Sequence, residues 1–314
     1  MVAALLIVVT ALCAVLLDGF LTRANLSSIL VSSAVLVVLG VGGAVVIIGG
    51  GIDLSAIVIF GICSQVIAEA MRAGHSEVAG LVVCLGVAFV CGLVNGLIVA
   101  YGELPALLVT LATALLFRGV AKLTYLEAQS GSLSDAAGIT LALGRDSWLG
   151  VDAPIVVAAI VVVVMHVALT RSAPGRAVYA MGDNVASARL IGLPIRPMVV
   201  ATYLVSALLA AFAGVLQIGI AGSYDTRTYT SGTLLYDVLA VIVIGGVSLA
   251  GGRGRLFGVV AAALLIGVLR NAMTRADLDT IQQLTLKSLL VLTALVLDAR
   301  LHPRSVETAR PGEL

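Results

Sequence analysis

The sequence predicts an all-α, polytopic membrane protein of about ten helices, with both termini in the cytoplasm. Composition points there first: of 314 residues, 61% are hydrophobic and only 11% charged, and the mean hydropathy is +1.16. A water-soluble domain needs far more charged surface than that. The apolar residues also form continuous runs, whereas a transmembrane barrel alternates over ~10-residue segments. Finally, 34 glycines allow helices to approach closely, the usual basis of association in lipid.

The expected segments, in order, are 2–17, 29–48, 56–70, 78–99, 106–123, 153–169, 198–220, 234–244, 256–273 and 284–297. The first has no basic start and no clear small-residue cleavage site, so it reads as a retained span and not a signal peptide. The eighth is too short for a simple crossing and is expected to tilt or to break near Gly245–Gly246. With the N-terminus inside, the cytoplasmic loops receive Arg171, Arg176, Arg189, Arg196, Arg253 and Arg255, and the tail adds Arg300, Arg304 and Arg310. The outer loops receive Arg23, Arg72, Arg145, Arg227 and Arg275. That bias sets the orientation. Residues 1–301 read as one membrane domain and 302–314 as a charged cytoplasmic tail.

The cytoplasmic segment 171–197 is the longest polar interruption on the inner side and carries a short helix. Asp183 or Asn184 can cap its start, Gly192 suits its end, and Pro194 prevents its continuation. Val185, Ala188 and Ile191 recur at helical spacing and give it one mildly apolar face. Such a helix in the cytoplasm predicts a docking partner there. On the outer side, residues 125–152 and 222–233 are the polar loops that would meet a soluble component.

One internal echo stands out. Residues 45–55 read VVIIGGGIDLS and residues 241–250 read VIVIGGVSLA. Paired, glycine-interrupted segments mark broken helices that line a transport route, because exposed backbone survives at membrane depth only beside protein or water.

Several kinds of chemistry are missing. The two lysines, Lys122 and Lys287, do not follow a glycine-rich phosphate loop, so the chain does not hydrolyse ATP by itself. No zinc-protease helix and no nucleophile elbow occur; Ser248 lacks the second glycine of the latter. A net charge of +1 implies no nucleic-acid partner, and neither a metal nor a cofactor is called for. Cys13, Cys63, Cys84 and Cys91 lie in apolar runs and read as small buried hydrophobes. His166 reads as a packed residue. Charges inside spans are costly and need a reason. Asp237 either complements a helix start or lines the route. Glu69 and Arg72 are spaced to pair on one helix face. Arg118 and Lys122 snorkel from the outer end of the fifth segment. Asn95 and Thr110 are polar groups within spans, suited to hydrogen bonds between helices.

Five blocks together resemble the membrane permease of ribose-type ABC importers, the monosaccharide group that works with a periplasmic binding protein. They are GGIDLS at 50–55, NGLI at 95–98, PALLVTLATALLFRG at 105–119, the glycine-arginine to GDN-x-x-A-x-ARLIG stretch at 175–192, and DVLAVIVIGGVSLAGGRG at 237–254. Gln283, Lys287 and Asp298 also fall at similar spacing. The order of the blocks is specific and spans nearly the whole chain. Two departures stand out. Ala56-Ile57-Val58 replace the Val-Gly-Ser that usually follows GGIDLS, and Leu235 stands where the family often has glutamate. Both places bear on which solute is carried.

The resemblance implies a permease without enzymatic activity, working by alternating access in a dimer with an identical or sister chain. It implies a cytoplasmic ABC ATPase and a periplasmic or lipid-anchored sugar-binding protein. Gly182, Asn184, Ala188, Arg189 and Gly192 would couple to the ATPase, while Asp53, Ser55, Asn95, Thr110, Asp237 and Ser248 would line the route. A ribose- or xylose-like sugar is the expected cargo. A branched-chain amino acid, a nucleoside or a furanose signalling molecule is the alternative within importers, and a secondary transporter the alternative outside them.

Overall fold

The computed structural model describes residues 2–124, 130–148, 150–230, 232–279, 281–286, 288–289 and 292–293. Its helices are α1 (Val2–Leu16), α2 (Arg23–Ile48), α3 (Ala56–Arg72), α4 (Glu77–Gly102), α5 (Ala106–Leu123), α6 (Gly138–Arg145), α7 (Ala153–Arg171), α8 (Ala173–Asp183), α9 (Val185–Leu190), α10 (Ile195–Ala221), α11 (Arg227–Thr230), α12 (Thr233–Ile244) and α13 (Leu256–Arg275). Four short strands complete it: β1 (Ser130–Ser132), β2 (Ser147–Trp148), β3 (Val151–Asp152) and β4 (Ser223–Asp225).

Among the described residues, six helices are long and apolar enough to cross a membrane: α2, α4, α5, α7, α10 and α13. This is fewer than the ten expected segments. The difference is one of length, since α1, α3 and α12 have 15, 17 and 12 residues, and at ~1.5 Å per residue α12 reaches about 18 Å against a ~30 Å hydrocarbon core. Most of the tenth expected segment, with Lys287, Asp298 and the tail 302–314, lies outside the described residues.

The core forms around α2. Every residue from 33 to 48 is buried, as befits a helix that is apolar all round. It packs against α7, α10, α12 and α13. α13 runs antiparallel to it: Asn25 and Asn271 exchange side-chain amide hydrogen bonds of 3.1 and 3.0 Å at one end, and Gly40 lies against Val259 toward the other. The closest pairing in the molecule is α4 with α10. Gly92 and Gly96, spaced for one helix face, lie on α10; a Cβ at Gly96 would stand 2.7 Å from the Val200 Cα. Backbones can approach this far only where the side chain is a hydrogen atom.

The loops sort into two ends. At one end Ser27 bonds Asp152, Arg23 donates to the Gly150 carbonyl, and Arg275 donates to the Asp18 carbonyl. β1 and β4 pair antiparallel there, with Gly131 opposite Tyr224, and the Tyr224 hydroxyl donates to Glu69 at 2.6 Å. The expected Glu69–Arg72 pair is present at 2.6 Å. At the other end Arg196 pairs with Glu103, and Tyr179 donates to the Gly254 carbonyl. These are the outer and inner sets that the sequence separates by arginine content.

The outer loop 125–152 is more ordered than its composition implies. α6 packs on α10 where Gly144 meets Gly219, and Glu77 caps the first turn of α6 through the Ile139 and Thr140 amides at 3.0 and 2.5 Å. The inner segment also holds two helices where one was expected. The start of α8 follows a legible rule: the Ser172 hydroxyl accepts from the Gly175 amide at 3.0 Å, and a proline follows in the first turn.

Candidate functional site: a broken-helix junction inside the bundle

The echo at 45–55 and 241–250 is a repeated way of ending a helix. After α2, the Gly50 amide bonds the Ile47 carbonyl and the Gly51 amide bonds the Val46 carbonyl. After α12, the Gly246 amide bonds the Val243 carbonyl and the Val247 amide bonds the Ile242 carbonyl. In both, the middle glycine is left-handed, with φ of +84° at Gly50 and +78° at Gly246. This is the Schellman stop, which consumes carbonyls that a helix end would otherwise leave unpaired.

The segment after the first stop runs through the interior. Asp53 accepts from the Ser55 amide and hydroxyl at 3.0 and 2.7 Å through one oxygen, and from the Ser206 hydroxyl at 2.8 Å through the other. The Asn95 amide donates to the Ser55 hydroxyl at 2.6 Å, and the Thr113 hydroxyl donates to the Asn95 carbonyl oxygen at 2.6 Å. The Ile52 carbonyl lies 3.2 Å from both the Thr110 and Tyr203 hydroxyls. One network therefore ties the break to α4, α5 and α10. Ser206 lies about 17 Å along α10 from its inner end, at ~1.5 Å per residue, so the network sits at membrane depth. Asp53 also faces a cleft of about 10 Å³ between α2 and α12, otherwise walled by Leu39, Ile47, Leu235 and Ile242. That is room for about one water, so the bundle is closed at this level.

Four of the expected route residues, Asp53, Ser55, Asn95 and Thr110, meet here. Asp237 and Ser248 are not in this network. Asp237 is buried and ion-paired with Arg270 of α13 at 2.5 Å, an alternative to both sequence readings. Ser248 sits in the loop after α12, where its amide bonds the Arg253 carbonyl. Three members escaped sequence reasoning. Thr113 follows Thr110 by one helical turn and was legible. Ser206 and Tyr203 lie unmarked in an apolar run, and only the packing of α10 brings them to the break.

At its inner end the break joins the cytoplasmic segment. The Gly252 amide donates to the Ile48 carbonyl at 2.8 Å. A Cβ on Gly182 would stand 1.8 Å from that same carbonyl oxygen and 2.6 Å from the Gly252 nitrogen. The two echo loops and the last turn of α8 thus converge on one carbonyl. From there the chain passes into α9. Asn184 is its cap, accepting from the Ser187 amide at 2.9 Å; Asp183 is not. Gly192, with φ of +82°, ends it through the Gly192-to-Arg189 and Leu193-to-Ala188 bonds. The expected apolar face turns out divided. Ala188 is buried against the chain, while Leu190 and Ile191 are 88% and 73% exposed. Arg189 is exposed.

Elsewhere the blander readings hold. His166 packs its ring 4.8 Å from that of Phe257, the four cysteines are buried free thiols, and no group of His, Cys, Asp or Glu could hold a metal among the described residues.

Six bilayer-length helices around interior helix breaks, lined by uncharged hydrogen-bonding groups and one carboxylate, define a polytopic membrane permease. Residues 25–297 match the family described as branched-chain amino acid transport system / permease component, and the chain belongs to that family. It is 31% identical over 294 residues to the ribose import permease protein RbsC of Escherichia coli (strain K12), covering 93% of this chain and 91% of that one. It is 31% identical over 282 residues to the D-allose transport system permease protein AlsC of the same strain, covering 90% and 85%. To the autoinducer 2 import system permease protein LsrC of Escherichia coli O157:H7 it is 30% identical over 308 residues, covering 94% and 87%. No solved structure matches the chain.

Proposed function

We propose that this chain is the membrane subunit of an ABC importer that carries a ribose- or xylose-like monosaccharide across the bacterial inner membrane. ATP hydrolysis belongs to a separate cytoplasmic subunit, and the chain itself is not an enzyme. Residues 1–301 act as one permease domain of about ten helices with both termini cytoplasmic, and 302–314 as a cytoplasmic tail. A second permease chain, identical or related, completes the route, and a periplasmic or lipid-anchored binding protein delivers the sugar. The relatives named for ribose and D-allose import support the class of cargo.

The observation that carries the mechanism is the convergence of Gly182 and Gly252 on the Ile48 carbonyl. It supports a short mechanical path. The ATPase grips α9 by its exposed Leu190 and Ile191, with Arg189 facing an acid on the partner. Asn184 and Gly192 fix the two ends of α9, and Ala188 seats it on the chain. Movement of α8 then reaches the α2 break through Gly182, and the packed bundle switches between arrangements instead of stretching. Asp53, Ser55, Asn95 and Thr110 hold the break from one side; their hydroxyl, amide and carboxylate groups suit an uncharged polyol passing between subunits. Asp237 and Ser248 belong to the second echo and flank the route there.

Leu190→Glu, reconstituted with the ATPase and binding protein in vesicles, should abolish sugar uptake while leaving the permease folded. Unchanged ATP-driven uptake in that variant would refute the coupling role. Another cargo remains the second reading, favoured by the autoinducer 2 relative and by the Ala56 and Leu235 departures. Calorimetry of the partner binding protein against ribose, xylose and furanose signalling molecules separates the two. Secondary transport lacks support in the geometry, since Asp53 and Asp237 occupy separate networks.

A further inference from the structure

Between α9 and the first turn of α10 lies an open cavity of about 400 Å³, lined by Arg189, Leu193, Pro194, Ile195, Arg196 and Pro197. The path through Ile48 does not use it. Its walls are apolar and its only charged groups are two guanidiniums. Arg196 is held from outside the cavity: Glu103 pairs with it at 2.8 Å, and its guanidinium lies 5.4 Å from the Tyr101 ring centre. Arg189 makes no ion pair among the described residues. The Glu103 carboxyl is held below its ordinary value, first by the Arg196 hydrogen bond and further by the charge of Arg189. Both cations therefore act on the same spot.

The location decides what could fill the cavity. Ile195 and Pro197 open the membrane-spanning α10, and α4 closes nearby at Gly102. Tyr101 and Leu104 are each 53% exposed. An exposed tyrosine beside arginine at the end of a span is the signature of the bilayer interface. Water gains nothing from four apolar walls, and a free inorganic anion would use the arginines alone. A phospholipid uses both surfaces.

We propose that this cavity binds the headgroup of an anionic phospholipid of the cytoplasmic leaflet. Its phosphate lies between Arg189 and Arg196, and its glycerol end rests on Leu193, Pro194, Ile195 and Pro197. Basic pockets between spans on the cytoplasmic side recognise such headgroups. Glu103 is the internal competitor, orienting Arg196 while taking part of its charge. The name of the leaflet rests on the orientation proposed above; the binding chemistry does not depend on the solute carried.

The test is lipid retention by the full-length chain, purified from mixed phosphatidylglycerol and phosphatidylcholine membranes and read by native mass spectrometry. Phosphatidylglycerol should be retained in preference. Arg189→Gln and Arg196→Gln should each weaken retention about fivefold, and Glu103→Gln should strengthen it, with thermal melting showing all three folded. Equal retention of both lipids, or retention indifferent to the three substitutions, overturns the proposal. So does displacement by millimolar inorganic phosphate, which would mark a simple anion site. Loss of bound lipid on adding the ATPase, with an ATPase acid cross-linking to Arg189 in its place, would assign the cavity to the protein partner instead. Sugar uptake is measured separately, so failure here leaves the importer reading intact.

Discussion

Asn95 is the residue on which the interior network turns. It donates to Ser55 and accepts from Thr113, joining three helices through one side chain. Asn95→Ala removes both bonds. At ~0.6 kcal/mol for an average interhelical hydrogen bond, the expected loss is about 1 kcal/mol, measured by denaturant unfolding in detergent, together with reduced uptake. Full stability would show that the network contributes nothing. Glu103 makes a prediction in pH. Its folded value is depressed by Arg196, so the pair's stabilisation is present above the ordinary carboxylate range and fades as pH falls through the depressed value. The pair is exposed and the effect is small. Glu103→Gln should flatten the acid limb of the melting profile, and an unchanged limb would place the titration elsewhere. Asn95 and Thr110 were legible because polar groups in apolar runs are conspicuous. Ser206 was not, since a lone serine in a span gives no sign of its partner until the fold supplies one.

At the scale of elements, the informative contact is between helix ends. Gly182→Ala would place a methyl group where the Ile48 carbonyl already stands, and a backbone atom cannot yield as a flexible side chain can. Overpacking of this kind costs about 1–3 kcal/mol. The expected result is loss of uptake with ATPase binding retained, read by co-purification; normal uptake would remove Gly182 from the coupling path. Gly92 and Gly96 serve a different purpose, static contact with α10. Gly96→Val should lower stability in detergent regardless of the ATPase. The sequence showed the ends of α9 well, because caps and left-handed glycines are local signals. α8 was missed although its Ser172 cap is equally local, because the eye follows hydrophobic runs and α8 is polar on much of its surface. The order within the outer loop was not legible at all, since α6 owes its capping to Glu77, which lies 62 residues earlier than Ile139.

For the whole molecule, the two ends of the bundle are chemically distinct, and arginine content assigns the richer one to the cytoplasm. All four native cysteines are buried, so a single introduced cysteine reports its own side. With Asp135→Cys, a membrane-impermeant maleimide should label intact cells; with Ala186→Cys it should label only after permeabilisation. The reverse pattern would invert the topology and with it the coupling assignment.

Composition and pattern alone determined that this chain lives in a bilayer, that its helices are many and glycine-packed, where two of them stop, and where a capped helix projects into the cytoplasm. These are short-range properties, set by the cost of burying charge and by backbone conformations that glycine alone adopts freely. Only the tertiary structure decided that Asp53 is held by Ser206, that Asp237 pairs with Arg270, and that the cytoplasmic helices bear on the Ile48 carbonyl. Such contacts join residues far apart in the chain, and their partners are chosen by how whole helices pack, which no local window of sequence contains.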